Sequence, residues 1–185
     1  MARPLLAGIL LGVGTRFAHD LPSEWHWLAK VGAPWLVVAF VVGAGRRSVA
    51  RGAFDGACSL VLAIVVYYGI RHHHSPLGLW WLVAAAPGGL AFGALGALWR
   101  TRRADVLAAS IVSASLAAEA LLFALFMGDD DALAAPVLIA SAAGALAALV
   151  PGGRRRTEAV ALACVLTTVA IIAEVVVIRA TGYVS

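Results

Sequence analysis

Glu119 and Glu174 each stand inside a long apolar run, LAASIVSASLAAEALLFALF for the first and LACVLTTVAIIAEVVVI for the second. A carboxylate at the centre of a membrane helix costs about 2.5–3.5 kcal/mol on insertion scales, so such a group faces protein or water and marks an ion or proton pathway by default. Ser115 precedes Glu119 by four residues and Thr167 precedes Glu174 by seven, which places each hydroxyl on the same helix face as its acid. The chemistry this allows is proton or cation binding. The structural alternative is a hydrogen bond to a neighbouring helix, or for Glu174 an ion pair with Arg71 or Arg179 near the membrane surface.

His72, His73 and His74 form the second group, in YYGIRHHHSPLGLWW. Imidazole is the commonest metal ligand and titrates near neutrality. Consecutive helical residues point in three directions, so one tripeptide supplies three ligands only from an extended backbone. A metal site here would need His19, Asp20, His26 or Asp129 to Asp131 as further ligands. The other reading is a hydrophilic turn before Pro76.

The elements that carry these residues follow from composition. The chain has 185 residues, 62% hydrophobic and 13% charged, with mean hydropathy +0.93. Soluble domains are about half apolar and about a quarter charged, so most of this chain belongs in a bilayer. The reading is an all-α, polytopic helical membrane protein forming a single integral membrane domain, 1–185. Candidate spans are 4–18, 31–45, 52–70, 77–99, 104–127, 132–150 and 158–179. The last five are of spanning length. The first two are short, which leaves a six-span alternative. The N-terminus, MARPLLAGILLGVGTRFAHD, mimics a signal peptide, but no A-x-A-like site follows and it reads as a retained first helix.

Charge sets the sidedness. Arg3, Arg46, Arg47, Arg51, Arg100, Arg102, Arg103 and Arg154 to Arg156 alternate with loops bearing Asp20, Glu24 and Asp129 to Asp131. Basic loops stay cytoplasmic, so the chain is expected in the cell (inner) membrane, N-terminus inside and C-terminus outside. All five histidines then share the outer face, with Trp25, Trp27, Trp80 and Trp81 as interfacial aromatics.

After the first span the sequence suggests three hairpins, opening at Pro34, Pro87 and Pro136. Their return helices, 56–68, 107–119 and 162–174, align without gaps. Tyr68, Glu119 and Glu174 then fall at one level, and Cys58, Ala109 and Cys164 at another. Sites in repeat-built transporters form at repeat interfaces, so the ion- or substrate-binding candidates are Glu119, Glu174, Tyr68 and Ser115.

Other residues read as structural. Cys58 and Cys164 have no metal or disulfide spacing. Asp55, Asp105 and Glu158 follow basic loops and suit the positive end of a helix dipole. Gly8-xxx-Gly12 and Gly89-xxx-Gly93 allow close helix approach, and Pro87-Gly88-Gly89 is a point where the fourth helix could break. No phosphate loop, dinucleotide fingerprint, nucleophile elbow or HExxH is present. No cofactor and no nucleic-acid partner is indicated, since the basic loops lack aromatic platforms.

The segments ILLGVGTRFAHDLPSEWHWLAKVGAPWLVVAFVVGAG, VVYYGI and GGLAFGALGALWR resemble a bacterial, chiefly actinobacterial, family of uncharacterised integral membrane proteins. The resemblance implies an inner-membrane body of six to seven helices and carries over no functional residue. The Gly/Ala-rich turns also look like those of substrate-binding subunits of energy-coupling-factor transporters. The expected function is a small-solute or ion permease, or its membrane-embedded substrate-binding component. A non-catalytic membrane partner or assembly subunit, bound to another membrane protein or to itself, is the alternative. An outer-face metal-dependent enzyme built from the histidines comes third.

Overall fold

The computed structural model describes residues 2–22, 25–71, 76–102, 104–126, 133–150 and 152–181, the side chains of 71, 76–78, 80, 126 and 173–181 excepted. The described residues form eight helices and no strand: α1 (Ala2–Ala18), α2 (Trp27–Lys30), α3 (Ala33–Ala44), α4 (Val49–Arg71), α5 (Pro76–Arg100), α6 (Asp105–Phe126), α7 (Ala134–Leu149) and α8 (Arg154–Thr181). The protein is all-α. Among the described residues, stretches of α4 (Val49–Ile70), α5 (Trp81–Arg100) and α6 (Asp105–Leu125) are long and apolar enough to cross a membrane. At 1.5 Å per residue the 12 residues of α3 rise only about 18 Å and the 16 of α7 about 24 Å, less than the roughly 30 Å hydrocarbon core. The run 132–150, expected to be of spanning length, is therefore shorter as a helix. The chain divides into two compact units, Met1–Ala108 and Ala109–Ser185.

In the first unit α4 packs against α1, α3 and α5, and α5 also packs against α3. Apolar side chains gain little by leaving lipid for a helix interface, so close backbone contact supplies much of the association. Glycine makes that contact here. On α1, Gly8 and Gly12 ride on α4, where an added Cβ would come within 2.5 Å of the Ser59 and Ala63 carbonyl oxygens. Gly93 of α5 sits where three backbones meet, facing Gly52 and Gly56 of α4 and Gly43 of α3. Phe40 of α3, 3% exposed, closes the same end against Trp99 of α5, ring centres 5.9 Å apart.

Pro87 lies within α5, and the helix continues through Pro87-Gly88-Gly89. The break for which this motif left room does not occur. Proline withholds one helical N–H, yet the helix continues, and Gly89 lies close against the backbone of Ala57 on α4. Pro34 begins α3 at a first-turn position, where its missing N–H costs nothing. Pro136 likewise lies in the first turn of α7, so of the three prolines only Pro87 falls in the interior of its helix.

Helix ends also differ from the charge-based reading. Arg51 is inside α4, and Arg154 to Arg156 open α8 rather than fill a loop. Asp55 consequently lies beyond the first turn of α4. It is 7% exposed and its Oδ2 accepts a hydrogen bond from Arg46 Nε at 2.5 Å. It is an ion-pair partner, not a helix-dipole acid. Glu158 likewise pairs with Arg154 in an exposed i,i+4 contact. Asp105 does occupy the first turn of α6, and its Oδ1 accepts from the Val106 N–H at 3.0 Å. Trp27, expected at the interface, is buried at 2% exposure, whereas Trp25 and Trp81 are exposed.

In the second unit Ser110 Oγ of α6 donates to the Ala159 carbonyl of α8 at 3.0 Å, fully buried. Ala159, Ala163 and Thr167 form the buried stripe of α8, one residue per turn. Arg156 Nη2 donates to the carbonyls of Ala147 and Val150, each at 3.2 Å. This satisfies carbonyls at the α7 C-terminus that have no intrahelical donor.

Candidate functional site

A cavity of about 480 Å³ opens in the first unit at the end opposite Arg46. The fold brings five segments to it. Thr15 and His19 come from the end of α1, Lys30 from the end of α2, and Trp35 from the first turn of α3. α4 contributes Leu60, Ile64, Tyr67 and Tyr68. Their spacing of four, seven and eight residues from Leu60 forms one helix face. Trp81, Ala84 and Ala85 of α5 complete the wall.

Tyr67 organises the site. It is 8% exposed, and its hydroxyl shares a 2.7 Å hydrogen bond with His19 Nε2, the imidazole tautomer deciding which group donates. Its ring meets Tyr68 edge-on at 5.0 Å and Trp35 edge-on at 6.3 Å, with the His19 ring tilted at 5.9 Å. Edge-to-face rings at these separations gain beyond their area burial, and a buried phenol needs its hydroxyl satisfied. Both conditions hold. Lys30 and Trp81 are exposed, so the cavity has an apolar floor and a cationic, aromatic rim. No Asp or Glu is among the described residues lining it.

The residues expected to do chemistry fall in different places. Tyr68 lines the cavity. Ser115 and Glu119 lie one turn apart on α6, Glu119 half-buried. The Ser115 hydroxyl donates to the Ile111 carbonyl at 2.9 Å, and the Thr167 hydroxyl to that of Ala163 at 2.8 Å. Their protons are committed to their own helices, while their oxygen lone pairs are not. The Glu174 side chain and His72, His73 and His74 lie outside the described residues. Among the described residues no group of three His, Cys, Asp or Glu is placed to hold a metal ion. Tyr67, Trp35 and Lys30 were not singled out as binding residues from sequence, and His19 was named only as a further ligand for a metal site at the histidine tripeptide. The signal was there in the apolar-aromatic stripe of α4 and in the single lysine of the chain.

The described residues, all-α in fold and with three helices long and apolar enough to cross a membrane, have the make-up of a membrane protein. The chain belongs to the family of unknown function DUF6518, whose profile matches residues 1–182. No curated protein and no solved structure matches it.

Proposed function

We propose that the protein is the membrane-embedded, solute-binding part of a small-molecule permease in a bacterial cell membrane, and that the cavity around Tyr67 holds the solute. The observation that carries this reading is the cavity itself, about 480 Å³ with mostly apolar walls and the His19–Tyr67 pair within it. Small-molecule sites are typically concave, about 300–1,000 Å³, apolar, and furnished with a few placed polar groups. The positive-inside rule puts the arginine-rich loops in the cytoplasm and the cavity toward the outer face. Glu119 and Glu174 are, on this reading, the acids that take a coupling proton or cation.

Reconstituted vesicles test the proposal. Wild type and Ala84→Trp, which places a large side chain at an exposed cavity position, are loaded with a mixed pool of small metabolites. Mass spectrometry then reads which solutes are retained by the protein or exchanged. At least one solute handled by wild type and not by the filled variant is the expected result. Identical profiles would remove the cavity from the function.

A further inference from the structure

We infer that the solute of this cavity is an uncharged, ring-bearing molecule whose carbonyl or similar acceptor takes the proton of the Thr15 hydroxyl. The inference rests on the cavity being the solute site and adds the solute's chemical class. Thr15 carries it. The buried stripe of α1 runs Pro4, Gly8, Gly12, Thr15 and Ala18. Beyond the two glycines that ride on α4, it reaches the cavity at Thr15. Thr15 is 8% exposed. A helical threonine can give its proton to a carbonyl one turn back, as Thr101, Thr167 and Thr168 do here. The Thr15 hydroxyl makes no hydrogen bond among the described residues. A buried hydroxyl left unmet is costly, and a solute acceptor relieves that cost.

The remaining lining argues against charge. His19 and Tyr67 bond each other, and Lys30 is already engaged within the protein. No Asp or Glu stands among the described lining residues. An ionised solute would enter with its charge uncompensated, which costs far more than burying a neutral polar group that finds a hydrogen bond. The ring follows from the walls. Trp35 of α3 and Trp81 of α5 line one volume with Leu36, Leu60 and Ile64, and indoles reward a flat ring beyond its area.

The test is thermal unfolding of the purified full chain in detergent, with affinities read from its dependence on the concentration of four probes. 2-Acetylnaphthalene supplies ring and carbonyl, 2-ethylnaphthalene the ring alone, 2-naphthoate the ring and negative charge, and 2-decanone the carbonyl on a flexible chain. 2-Acetylnaphthalene is expected to raise the unfolding temperature most, because a ligand that binds only the folded state stabilises it. Thr15→Val keeps the branched shape and removes the hydroxyl. It is expected to weaken 2-acetylnaphthalene about two- to tenfold, the value of one neutral hydrogen bond, and to leave 2-ethylnaphthalene unchanged. Thr15→Ser, which keeps the hydroxyl, is expected to bind like wild type. Without ligand, Thr15→Val is expected to unfold at the wild-type temperature or above it, because no bond within the protein is lost.

A lower unfolding temperature for ligand-free Thr15→Val would show that the hydroxyl is bonded within the protein and overturns the inference. Equal binding of 2-ethylnaphthalene and 2-acetylnaphthalene overturns the acceptor. A preference for 2-naphthoate overturns neutrality, and one for 2-decanone overturns the ring. Each of these leaves the cavity as the solute site if Ala84→Trp abolishes the binding. 2-Acetylnaphthalene binding that survives Ala84→Trp overturns the cavity itself. No response to any probe overturns the solute class, and the vesicle experiment then judges the cavity separately.

Discussion

His19 and Tyr67 stand 48 residues apart in the chain and share a 2.7 Å hydrogen bond, joining the end of α1 to the cavity face of α4. This bond is the polar centre of an otherwise apolar wall. Tyr67→Phe keeps the ring and removes the hydroxyl. It is expected to lower stability by about 0.5–1.5 kcal/mol, read as a lower unfolding temperature in detergent. His19→Phe should cost a similar amount, and the double variant less than the sum, because both remove the same bond. Strict additivity would show that the bond contributes nothing.

Gly93 and Gly14 make a matched pair of opposite expectations. A Cβ on Gly93 would meet the backbone of Gly52, whereas one on Gly14 meets nothing within 4 Å. Gly93→Ala is expected to destabilise by about 1–3 kcal/mol through overpacking. Gly14→Ala is expected to be neutral or to stabilise by up to about 1 kcal/mol, the intrinsic helix preference for alanine. Equal unfolding temperatures for the two variants would contradict the three-helix junction.

Arg46 and Asp55 are unequal partners. The Asp55 side chain is 10% exposed and that of Arg46 37%. Removing Arg46 strands a carboxylate away from water, while removing Asp55 leaves a guanidinium that water reaches. Arg46→Ala is therefore expected to cost more than Asp55→Ala, by on the order of 1 kcal/mol, in thermal unfolding near neutral pH. The reverse order would mean that the acid is hydrated or held by other groups.

Ser110 ties α6 to α8 through the Ala159 carbonyl. Interhelical side-chain hydrogen bonds in membrane proteins average about 0.6 kcal/mol and reach about 1.7. Ser110→Ala is expected to fall in that range, and Ser110→Val above it through added bulk at a fully buried position. A Ser110→Ala variant as stable as wild type would show that the bond is not formed in the membrane.

Long apolar runs made the all-helical class legible, because few other structures bury that much hydrocarbon, and the Gly-xxx-Gly spacings pointed to helix contacts that do occur. Helix ends were less legible. The loop-placement rule counts arginines but does not say whether they sit before a helix or in its first turn, so Arg51 and Arg154 were assigned to loops. Asp55 was misread for the same reason. The cavity was legible only in part. Alignment with Glu119 and Glu174 drew attention to Tyr68, which does line it, but the hydrogen-bonded residue is its neighbour Tyr67. Periodicity assigns a residue to a helix face and cannot name what faces it, and the partner, His19, arrives from a distant part of the chain. Ser115 has the right spacing to Glu119, yet its proton serves its own helix.

The glycine junction around Gly93 also bears on how a solute would enter. α3, α4 and α5 touch backbone to backbone near Gly43, Gly52 and Gly93, and bulky Trp35, Tyr67 and Trp81 line the gap between them at the other end. A single methyl group added at Gly43 would meet the Gly93 backbone, and by prying α3 from α5 at the pinch it is expected to change the spacing of the aromatic residues at the far end.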